Sequence, residues 1–259
     1  MFVIIGIVFV AACVVGGYSI HGDPMLLIQP VEFIIIGGAA LGALVIANPL
    51  PQLKAIIAGV LSTLKGAKVN KKAYTELLQL LYELFQFAKR EGLIALESHV
   101  ENPEQSPIMS KYPSFLANHH GVDFLCDTLK VVLSGGVPAH DLEELMDIDL
   151  EALHEEEAVP PLALQTMADS FPGLGIVAAV LGIIVTMASI NEGAEAVGMK
   201  VAGALVGTFL GVLLSYGFVG PVAKNMENIV HKESRYLVCI KSALLSFAKG
   251  APASVAIEY

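Results

Sequence analysis

Four apolar stretches punctuate the chain: Phe2 to Ile20, Met25 to Leu50, Phe171 to Ile190 and Val201 to Pro221. A helix needs about 20 residues to cross a hydrocarbon core, and each stretch supplies about that many. Residues 51–170, between the second and third, are polar and soluble in character. Within them Lys71 to Val100 has a helical period, with Leu77, Leu81, Leu84 and Ala88 on one side and no proline. A second helix is predicted from about Ser114 to Leu133, stopping at Ser134-Gly135-Gly136. A third, Asp141 to Glu157, sets Leu142, Leu145 and Leu153 against a crowd of acids. Asn102-Pro103 and Tyr112-Pro113 mark breaks, because the residue before proline avoids helical geometry.

The pattern therefore predicts an all-α membrane protein, with four transmembrane helices and a large helical cytoplasmic insert between the second and third. Four segments follow: 1–50 as a first transmembrane hairpin, 51–170 as the insert, 171–222 as a second hairpin and 223–259 as a cytoplasmic tail. Composition agrees, since 55% of residues are hydrophobic and only 15% charged. Orientation comes from the basic residues, which collect on cytoplasmic flanks. Lys54, Lys65, Lys68, Lys71 and Lys72 follow the second stretch, and Lys224, Lys232 and Arg235 follow the fourth. The short connections 21–24 and 191–200 hold only Lys200, so both termini and the insert are expected in the cytoplasm. Val10-Ala11-Ala12-Cys13 faintly resembles a lipoprotein cleavage box, but no basic residue precedes it and the apolar run continues beyond, against a cleaved signal.

Small residues are arranged in stripes. Pro172, Gly175, Ala179, Gly182, Thr186 and Ser189 share one face of the third stretch, and Ala204, Thr208, Gly211 and Ser215 share one face of the fourth. In lipid, where helices gain little hydrophobic energy by associating, such faces let backbones approach, so a packed partner is expected against each. Gly203, Gly207 and Gly211 repeat the spacing as a ridge. Pro172 and Pro221, each flanked by glycines, fall at a similar cytoplasmic level and are candidates for a hinge. Asp169 with Ser170 has the chemistry of an N-cap for the third span.

Neither stripe holds a carboxylate. Glu32, following Gln29-Pro30, is the only acid well inside a span, and its place near the outer end suggests snorkelling or a structural hydrogen bond over ion relay. If ions pass along these helices, another chain must supply the carboxylate.

Little else suggests chemistry. The net charge of -10 argues against nucleic acid. The acids of Asp141 to Glu157 opposite the basic flanks leave a solvated face or a charged docking surface. Cys13, Cys126 and Cys239 have no disulfide or metal spacing, and His119-His120 point about 100° apart on a helix, poorly placed for one ion. No nucleophile elbow, zinc-protease helix or phosphate loop occurs, so neither enzymatic activity nor a cofactor is expected.

Several ordered segments carry a family resemblance: Ala88-Lys89-Arg90-Glu91-Gly92 through Leu96-Glu97, Glu101-Asn102-Pro103, Asp169-Ser170-Phe171-Pro172, Val206-Gly207-Thr208-Phe209-Leu210-Gly211 and Tyr216-Gly217-Phe218-Val219-Gly220-Pro221. With the four-span layout they make the chain resemble the flagellar motor stator A-subunit family, MotA and its sodium-driven relative PomA. The resemblance implies a ring of A subunits, a pentamer, in the inner membrane around a dimer of single-span, MotB-like B subunits whose membrane Asp binds the coupling ion. It implies that ion flow turns the ring and drives a FliG-like rotor switch protein through the insert. It assigns Pro172 and Pro221 to the family's functional prolines and Thr208 to its pore-facing threonine, and it places Lys89, Arg90 and Glu97 at the rotor interface. Lys89 stands where the family usually has Arg, keeping the charge but losing the planar fork. Ala179 stands where sodium-driven relatives have Thr, and the missing oxygen favours protons over sodium. Two alternatives remain: a proton-driven energiser of an envelope system of the ExbB/TolQ kind, and a passive membrane scaffold.

Overall fold

The computed structural model describes residues 2–66, 69–188 and 190–258. Lys68 and Ser189 lie outside the described residues. Every regular element among them is helical. In chain order these are α1 (Phe2–Tyr18), α2 (Pro30–Ala47), α3 (Leu50–Lys65), α4 (Lys71–Glu91), α5 (Glu97–Glu101), α6 (Pro113–Leu116), α7 (His119–Ser134), α8 (Ala139–Ala188), α9 (Ala194–Val212), α10 (Gly220–Ala248) and α11 (Ala253–Ala256). Three stretches are long and apolar enough to cross a membrane: Pro24–Ala47, Ala139–Ala188 and Ala194–Ala248. Phe2–Tyr18 is apolar but shorter. Residues 2–66 with 157–228 form one compact unit, and 69–156 with 229–258 form another.

The first unit gathers α1, α2, α3, the second part of α8, and α9. Ile36 and Ala40 of α2, Phe171 and Ala178 of α8, and Val206 and Leu210 of α9 make one apolar cluster. Helix α3, which the hydropathy pattern does not isolate, packs Ile56 with Leu164, Ala223 and Met226. Beside them Gly59 leaves room for the Met226 methyl, against which a Cβ would clash. The outer faces stay apolar, with Phe9, Ile34, Ile46 and Ile184 all exposed, as lipid-facing surface requires.

The second unit has a different core. Leu77, Leu80, Leu81, Leu84, Phe85 and Ala88 of α4 meet Phe124, Leu125 and Leu129 of α7 and Tyr236, Ile240 and Leu244 of α10. Phe85 stacks on Phe247 with ring centroids 4.2 Å apart. The α10 stripe thus makes residues 229–258 part of a folded core, where the hydropathy pattern alone suggests a tail. Cys126 lies in this core, where burial pushes its thiol up to about 11, which keeps it unreactive.

Five local expectations are corrected. The helix expected to reach Val100 ends at Gly92, whose φ of 91° is open to glycine and strained for other residues. Lys89 and Arg90 occupy its last turn, favourably toward the helix dipole. The helix expected from Ser114 is split, because the Asn118 side chain accepts from Gly121 N at 3.1 Å and starts α7 afresh. The acid-rich helix does not stop at Glu157. It continues as α8 for 50 residues through Pro160, Pro161 and Pro172. Each proline removes one backbone donor, and burial of Leu164, Ala168 and Phe171 offsets that loss. Asp169 and Ser170 are therefore interior to α8 and cap nothing: Asp169 accepts from Gln165 at 2.8 Å, and the Ser170 hydroxyl donates to the Met167 carbonyl at 2.7 Å. Finally, Leu145 is 45% exposed and Met146 is buried in its place, while Leu142 and Leu153 pack on the core as expected.

Part of the acidic run is neutralised internally. Lys241 contacts Asp147 at 2.6 Å and Lys249 contacts Glu143 at 3.5 Å, tying the start of α8 to α10. Glu83 of α4 accepts from Lys111 at 2.8 Å and from the Tyr112 hydroxyl at 2.9 Å. The Lys111 bond, with that of Tyr112, holds the Glu83 carboxyl below its ordinary 4.5. Burial first, and then Glu83, pushes Tyr112 up to about 12. The folded form binds the Glu83 proton less readily than the unfolded chain, so this stabilisation is whole above the ordinary value and is lost as pH falls through the lowered one. The wild-type unfolding midpoint should fall more steeply than that of Glu83→Gln between about pH 5 and about pH 3. Parallel curves from thermal unfolding would rule this out.

Candidate functional site

The two small-residue stripes pack on each other. A Cβ added to Gly175 of α8 would stand 2.9 Å from the Gly207 carbonyl and 3.3 Å from the Thr208 Cα. One added to Gly182 would reach the Ala204 Cβ at 2.7 Å, and one on Gly211 would reach the Gly175 Cα at 2.9 Å. Real Cβ atoms do not come so close, so glycine sets the spacing of the α8–α9 seam. Thr186 is buried and donates to the Gly182 carbonyl at 2.8 Å, which satisfies it within its own helix.

This crossing brings several of the candidate residues together. A Cβ on Gly207 would lie 3.4 Å from the Ala179 amide nitrogen, so Ala179 and Thr208 flank the point where the backbones touch. Both, like Pro172, are half-buried. Phe171, next to Pro172, turns its carbonyl toward Gly211. Gly220 faces Ala168, one turn of α8 before Pro172, so Pro221 lies within about one turn of the Pro172 level. Pro221 itself is exposed.

Before Pro221 the helix changes register. Leu213–Val219 winds as a π-helix, and the Gly220 N–H donates to the Ser215 carbonyl five residues back. A proline at 221 has no N–H to donate, and its ring crowds the carbonyl four residues earlier. The wider turn relieves that crowding, and such insertions recur at functional sites. The sequence shows the proline but not the π segment.

Glu32 stands away from its expected place. It is only 7% exposed and does not snorkel outward. Its Oε2 is the nearest atom to a Cβ built on Gly207, at 2.9 Å. One turn away, Gly203 faces the side chain of Gln29 at 3.6 Å. The signal was present in the sequence as residues about one helical turn apart, Gln29 at the N-cap of α2 and Glu32 in its first turn, against Gly203 and Gly207 on α9.

In the second unit Lys89, Arg90 and Glu97 are all exposed around the Gly92 turn. They do not form one cluster. Lys89 borders a groove of about 390 Å³ with Leu93, Val132, Gly136 and Phe247. Glu97 borders another, of about 290 Å³, with Ile94, Lys130 and Ser134. Arg90 lies 3.7 Å from Glu91 in an exposed pair, which contributes little to stability. His119 and His120 are exposed at the start of α7, and among the described residues no group of three or more His, Cys, Asp or Glu could hold a metal ion.

Long apolar helices packed through a glycine seam define a helical membrane subunit, and comparison with known families agrees. Residues 118–238 match the MotA/TolQ/ExbB proton channel family, and residues 4–92 match the Motility protein A N-terminal family. Motility protein A of Salmonella typhimurium is 36% identical over 100% of this chain and 88% of its own length. Chemotaxis protein LafT of Vibrio parahaemolyticus is 37% identical over 98% of this chain and 90% of its own. The chain belongs to the motility protein A family, and its role is that of a stator A-subunit. The fold is also that of the C. jejuni MotAB structure, with a TM-score of 0.81 at 23% identity over 98% of this chain and 91% of that one. The flagellar MotAB stator complex from Bacillus subtilis gives 0.79 at 24%, over 98% and 92%.

Proposed function

We propose that this chain converts proton-motive force into torque on a flagellar rotor, as a pentameric ring of four-span subunits in the inner membrane around a dimer of MotB-like B subunits. The observation that carries the reading is the α8–α9 seam, where glycines bring the two backbones together and Thr208, Ala179 and Pro172 are half-buried. No acid of this chain belongs to either stripe, so the B subunit supplies the ion-binding Asp beside it. With both termini and the second unit in the cytoplasm, Lys89, Arg90 and Glu97 face a FliG-like rotor protein. The π segment before Pro221 and the proline in α8 are the places where a change at the seam bends the helices. One charge crossing is worth about 2.3 kcal/mol per 100 mV, enough for a modest step per ion.

Protons are the coupling ion because Ala179 offers no side-chain oxygen to a sodium ion at the point where α8 meets Gly207. Deleting the gene should leave filaments of normal number that do not rotate. Restoring it should give swimming that continues without sodium and stops when the proton gradient is collapsed. Unaffected swimming in the deletion strain would refute the motor reading. Restored swimming that requires sodium would refute proton coupling alone.

A further inference from the structure

We propose that Glu32 is a proton-binding carboxyl of this chain, seated on the Gly207 backbone and exchanging protons with the path along α8 and α9; this rests on the proton-driven reading above. The carboxyl is more than nine-tenths buried, and its Oε2 has no hydrogen-bond partner among the described residues. The room it occupies against α9 exists because position 207 has no Cβ. The neighbouring positions Gly203, Gly207 and Gln29 carry no charge to balance an ionised carboxylate. An unpaired charge in an apolar helix seam is far costlier than a neutral acid, so this packing is stable with a proton on the carboxyl.

Position turns that site into a candidate relay. The same point over the Gly207 Cα that the Glu32 Oε2 approaches has the Ala178 Cβ at 3.2 Å and the Ala179 nitrogen at 3.4 Å. Thr208 follows Gly207 in the chain. The Glu32 carboxyl therefore reaches the point where α8 and α9 meet. The step is a simple exchange: the protonated Glu32 gives its proton to a carboxylate acceptor on the B subunit, and the carboxylate left behind takes a proton from hydronium on the outer side, releasing water. Glu32 returns to its starting state.

The test uses the chain co-expressed with its B subunit, as wild type, Glu32→Gln and Glu32→Asp. Glutamine keeps the shape and can donate a hydrogen bond, but it cannot carry the proton. E32Q should reach wild-type membrane levels, co-purify with the B subunit and cut swimming speed by about tenfold or more, while E32D keeps part of it. Infrared spectra of the purified complex should show a carboxylic-acid carbonyl band that shifts in D2O and is missing from E32Q. A structural hydrogen bond would let E32Q swim at wild-type speed, which overturns the proposal, as does an unchanged carbonyl band. If the wild-type chain itself fails to restore swimming to a deletion strain, the motor reading fails instead.

Discussion

Gly211→Leu should abolish swimming and sharply reduce the chain recovered folded from membranes, whereas Gly173→Ala should do neither. A Cβ at 211 would lie 2.5 Å from the Phe171 carbonyl oxygen and 2.9 Å from the Gly175 Cα. Both neighbours are backbone, so no rotamer change can relieve the clash and α8 must move off α9. Overpacking a well-packed site costs about 1–3 kcal/mol when side chains can yield, and more where they cannot. Gly173 is a glycine of α8, two residues before Gly175, yet nothing lies within 4 Å of where its Cβ would be. Swarm diameter and detergent-extracted yield, measured together, separate the two. Normal swimming by Gly211→Leu would mean that the seam is not the working surface.

Phe85→Ala should lower the stability of the second unit by about 3–5 kcal/mol, the usual cost of removing a large buried aromatic. Phe85 is fully buried, and its ring lies nearly parallel to that of Phe247, at 3°. Truncation leaves a cavity between α4 and α10, and both helices have little freedom to collapse into it because Leu84, Ile240 and Leu244 are buried around it. Ile94→Ala is the matched surface control. Ile94 is 79% exposed, so its loss should change stability by no more than about 0.5 kcal/mol. Denaturant unfolding followed by circular dichroism measures both. Equal effects would contradict the core assignment.

Much of the fold was legible because hydropathy and helical period are local properties. The Leu77, Leu81, Leu84 and Ala88 stripe is buried as its spacing requires, and α7 ends at the Ser134-Gly135-Gly136 signal. Boundaries were less legible where a local signal competed with packing. Asp169-Ser170-Phe171-Pro172 has the chemistry of a helix start, but the buried face of α8 carries the helix through it. Gly92 ends α4 through its backbone conformation, which a period count over apolar residues does not register. The small residues announced a close approach, which the α8–α9 packing shows; Pro172, Thr208 and Pro221 lie in the ordered motifs, and Ala179 in the small-residue stripe.

By itself the sequence determined that this is a helical membrane protein, that two of its stretches pack through small residues, and which family it belongs to. Those follow from composition, period and motif order, which need no third dimension. Only the tertiary structure decided that the two stripes pack on each other, that α10 completes the second core, and that Glu32 is seated on Gly207 with its carboxyl out of water. The reason is that depth and partnership depend on which helices cross and at what register. A carboxyl placed near a span's outer end by counting residues is buried because a glycine on another helix leaves it a space.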